Sequence, residues 1–434
     1  MSRQKDWPWY LGLFCLTISL FVVGIFLVKT HATHSSSLPL TIFNSHTFAI
    51  TLLLLGGFIG GKIIKIFKMP AVTGYVLIGI IMGLSFLNII GLEMTMELEF
   101  IKVAGLSVIA LIIGGDLQFS KLRAIGLSVI NITIVEVIAD FVFVTFATRF
   151  FLGYAWPTAM ILGAISSATA PAATVAVVHE YKAHGPLTDT LIAIVAFDDA
   201  VCLILFSVVT ALVGLMTGAS QSFSFVHLLE PLWEILGSFL LGSMIGFITI
   251  FFLRWVKEKH EVVVLVLGVA LLGSELAGVW QLSPLLVNMT FGVVLTNFSQ
   301  SPLLFRFLDD IELPIFIAFF TLAGTELNIK ILALNWVGAL VYIFSRAMGK
   351  LGGVYLGGIV AGVDKKLKKY LGFAMLPQAG VAIALVLQVS VIFPHIASLI
   401  TALVLGSVAV NEIMGPIGSK YAITKAGEAG KASP

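Results

Sequence analysis

Apolar runs of 17 to 30 residues follow one another along almost the whole chain, separated by short clusters of charge, proline or glycine. Runs of that length cross the roughly 30 Å hydrocarbon core of a bilayer as single helices, whose backbone groups are satisfied internally. The punctuation predicts fourteen spans, at about 9–29, 47–67, 70–91, 99–117, 122–150, 156–178, 187–213, 229–256, 260–280, 282–298, 310–329, 332–362, 368–391 and 393–416. The polar stretch 30–45 reads as a loop without regular structure, and the tail after 416 as too short to hold a domain. The predicted fold class is an all-α membrane protein with about 14 transmembrane helices.

Composition agrees with that pattern. Of the 434 residues, 59% are hydrophobic and 11% charged, with a mean hydropathy of +1.07, against about 25% charged residues in soluble domains. A net charge of +2 without a basic cluster gives no reason to expect nucleic acid as a partner. Cys15 and Cys202 both fall inside apolar runs and read as packing residues rather than a disulfide. The first run follows Arg3 and Lys5 but is long for a leader and lacks a small-residue cleavage pattern, so it counts as a span. With both termini placed on one side, 19 of the 25 basic residues fall in the segments of that side. The positive-inside rule makes it the cytoplasmic side.

Two stretches echo each other. Span four ends Gly114-Gly115-Asp116-Leu117, and span eleven ends Ala323-Gly324-Thr325-Glu326-Leu327. Two spans later in each half a proline interrupts an apolar run, at Pro171 and at Pro377. An offset of seven spans, an odd number, gives the halves opposite orientations in the membrane. Paired interrupted helices in inverted repeats point to a transporter's binding site. Each proline removes a backbone donor and frees a carbonyl, and such backbone is tolerated at membrane depth only within protein or beside a wet cavity. Ser166, Ser167, Thr169 and Gln378 add neutral oxygens to this expected ion path.

Charged residues buried in the spans supply the candidate chemistry. Asp198 and Asp199 lie in span seven, Asp199 about twelve residues, or roughly 18 Å, from the inner end. Each Asp at that depth costs about 2.5–3.5 kcal/mol, so the pair marks a functional site. Span twelve carries Arg346 and Lys350 and span five carries Glu136 and Asp140, each pair spaced i, i+4 on one helix face. Four acids then stand against two bases, and the surplus must be neutralised by protons or by a cation. Fixed ion pairs that merely tie helices together are an equal reading for Glu136, Asp140 and Arg346. His179 and His184 flank a short inside loop and read as solvated histidines, with pH sensing as the alternative.

With its Asp198-Asp199 pair after a proline-broken helix, Lys350 near the second break, and the run from Met69-Pro70 to Gly83, the chain resembles the monovalent cation:proton antiporter-2 family. Within that family it is similar to bacterial sodium/proton antiporters. The resemblance implies two inverted-topology repeats with crossed discontinuous helices, and a homodimer in a bacterial inner membrane. It implies a core domain at 118–228 and 331–416, a dimer domain at 47–117 and 259–330, and a linker at 229–258. An extra N-terminal helix and loop (1–46) and a short tail (417–434) lie outside them. By the same resemblance Asp199 and Asp198 receive the transported Na⁺, Asp199 also carries the proton, and Asp198 pairs with Lys350. Release of a proton by Lys350 would make exchange electrogenic. No cofactor and no enzymatic activity are implied, only transported Na⁺ (or K⁺ or Li⁺) and H⁺. The rival functions are a K⁺/H⁺ antiporter, a sodium-coupled organic-anion symporter of related fold, and a channel or receptor. The buried acid pair argues against the symporter, and neither a symmetric hydrophilic path nor a sensing domain supports the last two.

Overall fold

The computed structural model of the protein describes residues 46–217, 226–256, 258–299, 309–327 and 335–431. The predicted first span, Cys15 and the 30–45 loop lie outside them. Residues His46–Ile50 begin the first described helix, and the described residues after them belong to the compact unit Thr51–Pro434.

Sixteen helices are described. They are α1 (His46–Ile66), α2 (Ala71–Met82), α3 (Leu92–Glu97), α4 (Glu99–Asp116) and α5 (Phe119–Phe151). The chain continues through α6 (Trp156–Ser166), α7 (Pro171–Glu180), α8 (Pro186–Thr217), α9 (Val226–Leu253) and α10 (Lys259–Val279). It ends with α11 (Pro284–Phe298), α12 (Asp309–Glu326), α13 (Trp336–Val360), α14 (Lys365–Ala374), α15 (Gly380–Ile392) and α16 (Pro394–Ala426). Seven helical stretches among the described residues are long and apolar enough to cross a membrane, and three shorter apolar helices join them. With α6/α7 and α14/α15 each counted as one interrupted span, the helices fill thirteen of the fourteen predicted positions.

Two boundaries differ from the sequence pattern, each for a local reason. The third span stops at Met82 rather than 91, because the chain folds back and the amides of Ile89 and Ile90 both bond the Met82 carbonyl. The last span runs ten residues beyond 416, through Pro416, and ends where Gly427 takes a left-handed conformation (φ 78°). Such a C-terminal glycine satisfies the last carbonyls without Cβ strain.

Small residues set the helix contacts, as they do where water provides no drive for helices to associate. Gly349, Gly353 and Gly357 form a stripe on α13 against Asp140, Glu136 and Ile132 of α5; a Cβ at Gly353 would lie 2.7 Å from Glu136 Cα. That stripe brings the backbones of the two charged helices together. The repeat is visible as an exchange of partners. Gly79 on α2 and Gly324 on α12 allow span three to meet span eleven, while Gly114 on α4 and Gly292 on α11 allow span four to meet span ten.

Candidate functional site

The two interruptions meet. The first lies between α6 and α7, where Pro171 occupies the opening turn of α7, a position at which proline's missing N–H is not needed. The second spans Met375–Ala379 between α14 and α15. The Ala170 amide donates to the Pro377 carbonyl at 2.9 Å, tying one break to the other.

Arg346 of α13 completes the crossing. Its guanidinium donates to the carbonyls of Ser166 (2.9 Å) and Ala168 (2.9 Å) on one break, and of Leu376 (2.6 Å) and Pro377 (3.3 Å) on the other. It makes no ion pair with a carboxylate among the described residues. The expected network of Glu136, Asp140 and Arg346 is thus divided: Arg346 serves the backbone, its planar fork matching diverging carbonyls, and Glu136 meets Lys350. The carbonyls expected to open toward an ion are instead occupied by the protein's own cations.

Lys350, one turn further along α13 and fully buried, donates to the Ser167 carbonyl at 2.5 Å and to the Thr169 hydroxyl at 2.8 Å. Its ammonium lies 2.5 Å from Glu136 Oε1 and 3.7 Å from Asp198 Oδ2. The Asp198 distance is an ion pair beyond hydrogen-bond range. Asp198 and Asp199 are 0% and 3% exposed, and no described residue donates a hydrogen bond to any of their four carboxylate oxygens. The oxygens of Asp140 are likewise buried and unpartnered. Lone pairs left open at this depth are costly unless a proton or a cation occupies them.

The neutral groups predicted for the ion path have partners of their own. The Ser166 and Ser167 hydroxyls donate back to Gly163 and Ala164 of α6. Gln378 donates to the Ile165 carbonyl and accepts from Ser407 and Asn411 of α16. Cys202 is a free, buried cysteine beneath Ser167, as its apolar run implied. Two further acids were absent from the sequence reading: Glu234 on α9, half-buried, and Glu412 on α16, 4% exposed with Oε1 lacking a hydrogen-bond partner among the described residues.

His179 is not the solvated histidine expected. Its Nε2 lies 3.0 Å from Asp116 Oδ2 and its Nδ1 3.2 Å from Glu312 Oε2. His184 is held through its backbone, its amide donating to the Glu428 carbonyl.

The sequence family described as "Sodium/hydrogen exchanger, transmembrane" matches residues 49–417. The ammonium/proton antiporter subunit AmhT of Alkalihalophilus pseudofirmus is 27% identical over 323 residues, which is 71% of this chain and 77% of that protein. The Na⁺/H⁺ antiporter ApNhaP of Aphanothece halophytica is 27% identical over 264 residues, 58% of this chain and 49% of that protein. Two structures of the sodium/proton antiporter MjNhaP1 from Methanocaldococcus jannaschii share the fold. One superposes with a TM-score of 0.70 at 22% identity, covering 89% of this chain and 98% of that one. The other, at pH 8, gives 0.60 at 23%, covering 87% and 95%. Crossed interrupted helices, a buried acid pair and a family match over most of the length agree: the chain belongs to the sodium/hydrogen exchanger family, integral membrane proteins that exchange a monovalent cation for protons.

Proposed function

We propose that this chain exchanges Na⁺ for H⁺ by alternating access, with Asp199 as the carboxylate that carries either ion and Asp198 as its neighbouring ligand. The single observation that carries this reading is the acid pair beside the crossing, buried and without a hydrogen-bond donor. Hard carboxylate oxygens suit an alkali cation, and Na⁺ is named for both ApNhaP and MjNhaP1. A bare Asp199 resists crossing the apolar barrier, whereas the proton-bound or cation-bound form crosses, so the two ions move in opposite directions. Helices α5–α8 and α13–α16 form the moving core and α1–α4 and α10–α12 the static part. The functional unit is a homodimer with the Lys-rich face in the cytoplasm.

Glu136 changes the role expected of Lys350. With Glu136, the Ser167 carbonyl and Thr169 already around it, Lys350 keeps its proton when a cation takes Asp198. One H⁺ then returns per Na⁺, and no net charge moves. In vesicles loaded with a pH dye, Na⁺ is expected to drive proton flux at a rate indifferent to an imposed voltage. K⁺, Li⁺ and NH₄⁺ belong in the same panel, the last because of AmhT. Flux driven by none of these ions would reject the exchange reading. Flux that rises with voltage, and loses that rise in Lys350→Ala, would show that Lys350 releases its proton.

A further inference from the structure

The end of α7 that faces away from the crossing is fastened to the opposite helix group by a cluster the exchange chemistry does not use. His179 reaches Asp116 at the end of α4 and Glu312 on α12. Glu180, the next residue, pairs with Lys65 of α1 at 2.9 Å and accepts from the Ala71 amide, the first of α2, at 2.7 Å. From α16, Lys420 donates to the Lys68 carbonyl and covers the Tyr181 ring at 5.1 Å. Burial, with Glu180 alongside, pushes the Tyr181 phenol up to about 12, so it stays neutral beneath that cation. Tyr75 of α2 is the other titratable group near Glu180. On the α8 side, Glu428 bonds the Leu187 and Thr188 amides and takes no part.

Only one form of His179 makes both of its bridges. Ionised carboxylates accept and never donate, and a neutral imidazole has a single N–H. Two ring nitrogens, each within reach of a carboxylate on a different helix, therefore require the imidazolium. We infer that His179 is a proton-operated latch, which while protonated holds α7, and with it the first half of the crossing, against α4 and α12. Loss of the proton leaves one carboxylate without a donor and two acids facing each other across the ring. The helix group carrying α7 is then released to move. The latch thus closes on acidification and opens as pH rises, setting how fast the site exposes itself rather than which ion it binds. In its transport readout this inference rests on the exchange reading.

Two substitutions of opposite sign test it in vesicles, at saturating cation so that competition at Asp199 drops out. His179→Gln cannot bridge two carboxylates, and its maximal rate is expected to rise several-fold at about pH 6 and to match the parent near pH 8.5. His179→Lys keeps its charge throughout that range and is expected to stay slow where the parent has become fast. A purely structural role would depress both variants equally at every pH, and that result, or two unchanged pH profiles, would overturn the latch. A second measurement needs no transport. The melting temperature of detergent-solubilised parent should exceed that of His179→Gln at about pH 5.5, and the gap should close by about pH 9, since stability owed to the imidazolium is lost as the proton leaves. A gap independent of pH contradicts the latch. A parent that exchanges no ion yet shows the closing gap would sink the exchange reading alone.

Discussion

Asp199→Asn is expected to reduce cation-driven proton flux to that of empty vesicles while the protein folds and inserts normally. The amide nearly matches the carboxylate in shape but neither ionises nor takes up a proton, so both halves of the exchange are lost at once. Insertion should if anything improve, because a charge worth about 2.5–3.5 kcal/mol at this depth is gone. Asp199→Glu, which retains the carboxylate one methylene further from α8, should keep measurable flux with an altered cation requirement. Full activity in the Asn variant would remove Asp199 from the site and leave Asp198 or Asp140, both buried and without a hydrogen-bond donor among the described residues, to carry the ions.

Arg346→Met is expected to have the largest effect on stability. The methionine fills much of the volume but leaves the carbonyls of Ser166, Ala168 and Leu376 without their donor and Pro377 with Ala170 alone. Each buried carbonyl left without its donor costs about 1–3 kcal/mol. Melting of the detergent-solubilised protein should fall accordingly. Arg346→Lys should recover only part of the loss, because a point charge cannot reach two diverging breaks as a fork does. A Met variant that melts with the parent would mean that the breaks are held by other contacts and that Arg346 is dispensable to the crossing.

Much of this was legible in the sequence, and the parts that were not share one cause. Pro171 and Pro377 announce the interruptions because proline removes a helix donor wherever it falls, and Asp198-Asp199 announce themselves because charge in an apolar run is expensive. Those are local facts. Arg346 and Lys350 lie four residues apart on one face and looked like equivalent partners for the acids. Which of them meets backbone and which meets Glu136 depends on how the breaks lie across α13, a tertiary matter. The Gly349, Gly353 and Gly357 stripe that seats Glu136 beside Lys350 was readable only once α5 was known to be its neighbour. His179 is the clearest case, since its two carboxylates come from positions 116 and 312. The chain-local reading of a solvated histidine had no access to that convergence. Glu412 lies four residues before the predicted end of span fourteen at 416, yet α16 continues through Pro416 and places it fourteen residues from the helix end.

Competition at one carboxylate can be measured directly. The apparent KM for Na⁺ in vesicles, followed across pH, is expected to rise roughly tenfold for each unit of acidification below the point where the site takes up its proton, as one proton displaces one cation. A KM that stays constant from acid to alkaline pH while exchange continues would contradict a shared site for the two ions.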